Sequence, residues 1–112
     1  DIHEAITYYL KSLKLGSIEA KAELETIYDD LIRDNDNEDN YKKALKYGME
    51  GIKIGLKNLS YALGTIYNNS EYSIYNKAKA ISYYKEGFRN NDEMCCFRLA
   101  RIYHENNDEE NA

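Results

Sequence analysis

The chain has 112 residues, a formal net charge of −5 and a pI near 5. That is material for one small domain or a piece of something larger, and its acidity argues against nucleic acid, whose phosphates need a basic footprint. Hydrophobic residues make up 43% and charged residues 31%, a globular balance too apolar for full disorder. No apolar run approaches the roughly 18 residues that span a bilayer, so membrane insertion is not expected.

Two features of composition bear on shape. Twelve residues are Tyr, with no Trp, and Tyr suits half-buried grooves because an apolar ring ends in a polar tip. There is no Pro, which favours long helices joined by loops of Gly, Asn and Asp.

In chain order, residues 1–15 carry Ile2, Ala5, Ile6, Tyr9 and Leu13 three or four apart, which predicts an amphipathic helix. Residues 18–31 follow with Ala20, Leu24, Ile27 and Tyr28. The polar run from Arg33 to Asn40 reads as a loop. A third helix, 41–54, presents Leu45, Met49 and Ile52, and a fourth, 57–68, presents Leu59, Leu63, Ile66 and Tyr67. A fifth, 76–88, shows Ala80, Ile81, Tyr84 and Phe88, and a sixth, 92–105, shows Cys95, Leu99, Ile102 and Tyr103. Gly48, Gly51, Gly64 and Gly87 fall inside helices, where Gly costs roughly 1 kcal/mol against Ala, so they read as points of close helix contact.

These elements repeat. Ala5, Ala44 and Ala80 open equivalent segments 39 and 36 residues apart. Eleven residues after each Ala stand Gly16, Gly55 and Asn91, types that accept the left-handed conformation ending a helix. Twelve further on stand Tyr28, Tyr67 and Tyr103, each preceded by Ile and with Leu24, Leu63 or Leu99 four residues before it. So strict a spacing marks stacked supersecondary units. The expected fold is all-α, an α/α superhelical solenoid of antiparallel helix pairs with about six helices. The expected organisation is a single repeat domain over 1–105: a half repeat 1–16, repeats 17–55 and 56–91, a half repeat 92–105, then an acidic tail 106–112 that frays.

Leu63-Gly64-Thr65-Ile66-Tyr67 followed by Lys79-Ala80-Ile81-Ser82-Tyr83-Tyr84-Lys85 resembles the Sel-one-like repeat family of the tetratricopeptide-repeat superfamily. The 19-residue Ala-to-Leu distance and the lack of Pro favour that label over a divergent tetratricopeptide repeat. Glu25 and Gly48 depart from the pattern, standing where Gly and an aromatic residue are usual. The resemblance implies an adaptor whose concave face, lined by the first helix of each pair, holds a peptide or protein segment.

No catalytic residue, cofactor site or metal site is expected. Cys95 and Cys96 are adjacent and build no disulfide framework, which favours a cytoplasmic setting. His3 and His104 lie far apart in the array, and the acidic runs lack the spacing of a calcium loop. Carried over from the resemblance, the partner-binding positions are Ala22, Thr26 and Asp29, then Tyr61, Thr65 and Asn68, then Phe97, Arg101 and His104. Tyr61 and Phe97 lie off the core stripe, as anchors of a binding surface or as packing between first helices. The uncapped first segment raises a second expectation, a homo-oligomer formed through open ends; a third is an accessory domain of a larger enzyme.

Overall fold

The computed structural model describes residues 1–111, with side chains as far as Asn107. It is all-helical, and the described residues contain no strand. The helices are α1 (Ile2–Lys14), α2 (Ile18–Asn35), α3 (Tyr41–Lys53), α4 (Ser60–Tyr67), α5 (Lys77–Arg89) and α6 (Glu93–Asn111). A 3-10 turn, Lys57–Leu59, precedes α4, so the fourth predicted helix begins as a tighter coil than expected.

Short punctuated turns separate the helices. Gly16, Gly55 and Asn91 have φ of 95°, 99° and 67°, the left-handed region anticipated from their spacing. Several helix starts are capped by side chains: Ser17 Oγ accepts from the Ala20 N–H at 3.1 Å, and Asn76 Oδ1 accepts from the Lys79 N–H at 3.0 Å, whereas Asn40 before α3 makes no such bond. Asp92 Oδ1 accepts from the Met94 N–H at 3.0 Å.

The chain divides into two compact units, Asp1–Leu59 and Ser60 onward. In the first, α2 packs on both α1 and α3. Its core is Ala20, Leu24, Tyr28 and Ile32 of α2, met by Tyr41, Ala44 and Leu45 of α3 and by Leu56 and Leu59 after it. In the second, α5 packs on both α4 and α6. Its core joins Leu63, Ile66 and Tyr67 of α4, Tyr72 of the following loop, Ala80 and Tyr84 of α5, and Cys95 and Ile102 of α6. Burying a Leu or Ile side chain is worth about 1.5–3 kcal/mol, so these few positions dominate each unit's stability.

Two boundaries and two stripes differ from the sequence expectation. Helix α2 runs on to Asn35, because Ile32 extends the i, i+4 line of Leu24 and Tyr28 into the core and Arg33 reaches back to Asp29 at 2.6 Å. Helix α6 continues past 105 to Asn111, with Lys77 Nζ donating to Asn106 Oδ1 at 2.7 Å; the rest of the expected tail lies outside the described side chains. The buried line of α3 follows Ala44, Gly48 and Gly51, and that of α5 follows Ala80, Tyr84 and Gly87. Met49 and Phe88, expected in those stripes, are exposed.

Bare backbone on these lines is filled by a neighbour. A Cβ added to Gly51 would collide with Leu59 Cδ1, and one on Gly87 with Cys95 Sγ. At Gly64 it would meet the Tyr84 ring at 2.7 Å, and Tyr84 is itself buried and cannot swing away. Gly64→Ala is therefore expected to destabilise the chain by about 1–3 kcal/mol through overpacking, despite Ala's better helix propensity. Urea unfolding followed by circular dichroism measures it; an unchanged or raised midpoint would show that the ring is free to move.

Candidate functional site

Position in the repeat decides which side chains are left over for contact with other molecules. On α2, Leu24 and Tyr28 point to the core, so Ala22 and Thr26 are exposed and Asp29 is half-buried. These three expected residues come together in one open hollow of about 480 Å3, joined by Glu25, Asp30, Arg33 and Asn58. Thr26 Oγ1 donates back to the Ala22 carbonyl at 3.2 Å. Three carboxylates against one guanidinium, already engaged by Asp29, leave the hollow acidic.

In the second unit, Tyr61, Thr65 and Asn68 are all half-buried. Tyr61 lies 6.0 Å from the Tyr84 ring, and Thr65 Oγ1 is 3.1 Å from the Tyr84 hydroxyl. Arg98 of α6 completes the group: its Nε and one terminal nitrogen each donate to the Tyr61 hydroxyl at 3.3 Å. Its guanidinium also sits 6.0 Å from the Tyr61 ring centre. Tyr61 is thus held between α5 and α6, with its phenol as the acceptor for Arg98. That hydrogen bond, ahead of the opposing effect of burial, holds Arg98 above its usual range. The sequence reading passed over Arg98, although it stands one residue after Phe97; only the α4–α6 contact reveals its role.

Phe97 behaves differently. It is 53% exposed, with Arg101 lying 5.9 Å from its ring centre and within 3.8 Å of Glu105. Arg101 and His104 are exposed on the same helix. Phe97 and Arg101 are four apart, as are Arg101 and Glu105, so one face of α6 carries an aromatic ring, a cation and an anion in sequence. Burial of the repeat tyrosines also differs. Tyr67 is roofed by Tyr83, stacked at 5.7 Å, and by Lys79 at 5.1 Å, whereas Tyr103 is 50% exposed with no following helix described over it.

The two thiols separate by one helical step. Cys96 is exposed and Cys95 is buried against Gly87. Burial first, then the nearby Asp92 carboxylate, pushes the Cys95 thiol up to about 12. A thiol so placed is a packing residue, inert toward electrophiles in the folded chain. Among the described residues no cluster of three or more His, Cys, Asp or Glu side chains is arranged to hold a metal ion. None of the described helices is long and apolar enough to cross a membrane.

The chain matches no protein-family model, no curated protein and no solved structure.

The buried thiol gives a pH dependence with a definite sign. Unfolded, Cys95 ionises near 9.0; folded, near 12. Below pH 9.0 both states keep the proton, and above it the unfolded chain releases its proton first, so stability falls as pH rises from 9.0 toward 12. Burial raises Tyr28, Tyr83 and Tyr84 in the same direction. The urea midpoint is expected to drop over this range in the native chain and to drop less steeply in Cys95→Ala. Equal slopes would show that Cys95 is not protected by the fold.

Proposed function

We propose that this chain is a non-catalytic interaction scaffold, built from helix pairs of the Sel-one-like repeat kind, that holds a peptide or protein segment on the exposed sides of its first helices. One observation carries the reading: Phe97, a large apolar ring, is held exposed on α6 beside Arg101, while the core positions of that helix, Cys95 and Ile102, are filled. Aromatic and Arg side chains supply much of the energy at protein interfaces, through large contact area and, for Arg, a planar set of hydrogen-bond donors. Next to them Tyr61 is fixed by Arg98 and Tyr84, and Thr65 is tied to Tyr84, so part of the surface is rigid before a partner arrives. Asn68 and His104 complete the set of positions carried over from the resemblance.

The acidic hollow of the first unit, with Ala22, Thr26 and Asp29, fits a basic side chain. The α6 face, with Arg98 and Arg101 around two aromatic rings, fits an aromatic or acidic one. Neither surface has the paired base and nucleophile that acyl or phosphoryl chemistry needs.

A second reading, self-association, has its own support. Helix α1 has no buried residue; Tyr8 midway along it is exposed, as are Leu15 at its end and Ile18 at the start of α2. A second copy of the chain is one surface that could cover them.

The first reading is tested by selecting binders from a random peptide library with the intact chain and re-measuring them against Phe97→Ala/Arg101→Ala. The double variant is expected to lose about 2 kcal/mol of binding, roughly 30-fold, with its circular dichroism unchanged. Peptides that bind both proteins equally would place recognition elsewhere.

A further inference from the structure

Within the first unit, a hollow of about 400 Å3 lies over α2 between α1 and α3, apart from the surfaces described above. Small-molecule sites fall in the range of about 300–1,000 Å3. Two helical stripes face it. His3, Ile6 and Thr7 are three or four apart on α1, and Lys43, Lys46, Tyr47 and Glu50 are three or four apart on α3.

Tyr28 of α2 closes the floor. The residue is only 5% exposed, and its phenol oxygen hydrogen-bonds to no other described residue. Yet no buried side-chain oxygen or nitrogen among the described residues lacks a partner, so this oxygen reaches the hollow and not the core. Ile6 and the rings of Tyr28 and Tyr47 supply an apolar bed. The ammonium groups of Lys43 and Lys46 stand exposed at the rim and form no ion pair among the described residues. The rim thus holds two lysines against one carboxylate, Glu50, in a chain whose net charge is −5.

We propose that this hollow binds a small organic acid, a single carboxylate on a compact aromatic or aliphatic body. The carboxylate sits between Lys43 and Lys46, and accepts a hydrogen bond from the Tyr28 phenol. The body lies against Ile6 and Tyr47. Glu50 limits the charge: it repels a second negative oxygen, so a monoanion is preferred to a dianion. The burial of Tyr28, with Glu50 and Tyr47 nearby, raises its phenol and keeps it a proton donor across the neutral range.

The test is a titration of the isotope-labelled intact chain, read residue by residue in amide correlation spectra. The probes are phenylacetate, benzyl alcohol (the ring without the charge), acetate (the charge without the ring) and phenyl phosphate. Phenylacetate is expected to give saturable shifts in residues 3–7 and 43–50. Benzyl alcohol and acetate should bind at least about tenfold more weakly, and phenyl phosphate more weakly than phenylacetate at pH 7.5. Lys43→Ala/Lys46→Ala should remove phenylacetate binding while leaving the remaining signals in place, since both side chains are exposed. Glu50→Gln should tighten phenylacetate and narrow the gap to phenyl phosphate. The proposal is overturned by shifts that map elsewhere or do not saturate, by equal binding of benzyl alcohol, or by a lysine variant that binds like the native chain.

Discussion

Each unit depends on one kind of contact, the seating of a side chain against a glycine backbone on the neighbouring helix. Gly51 of α3 receives Leu59, and Gly87 of α5 receives Cys95. The two contacts are the same one repeated: each glycine lies seven residues after its Ala landmark, and each partner four residues after the turn residue, Gly55 or Asn91. The left-handed turn reverses the chain, and the missing Cβ lets the following segment close on the helix just left. Packing at this distance tolerates almost no added volume, since protein interiors are filled to crystal density. The cost of Gly in a helix, roughly 1 kcal/mol, is offset by the burial it permits.

Two departures from the repeat pattern fall at positions equivalent to a close contact of the second unit. In the second unit Gly64 of α4 lies beneath the Tyr84 ring. The corresponding positions in the first unit carry Glu25 and Gly48. Each pair has one small and one large member, with the order reversed. Tyr84 then does more than fill space. Its hydroxyl meets Thr65 and its ring supports Tyr61, so the seam also fixes part of the surface that faces outward.

Much of this was legible in the sequence. Helix number, the left-handed turns at Gly16, Gly55 and Asn91, and the core positions of α2 and α4 follow directly from periodicity. The line of small residues through α3 and α5 was harder to read, because hydrophobic periodicity gives weight to Met49 and Phe88 and none to Gly. The length of α2 was hidden by the polar run that follows Leu31, within which the single Ile32 continues the core. On the candidate surface, Ala22, Thr26 and Asp29 share one hollow as their spacing implied. Tyr61 and Phe97, alike in sequence, part ways: one is clasped by Arg98 and the other stands exposed. That difference depends on a contact across 37 residues, which no local pattern encodes. The α1–α3 hollow was invisible for the same reason, since its two stripes meet only through α2.

The seams leave outward faces that the chain does not cover itself, namely Phe97 and Arg101 on α6, the acidic hollow on α2, and the apolar turn after α1. The central claim is that these faces await a different molecule and not a second copy. Light scattering across a wide concentration series tests it most directly. The account predicts a mass that stays near 13.1 kDa throughout. A mass that climbs with concentration would contradict it, and would show that the faces are covered by the chain's own copies.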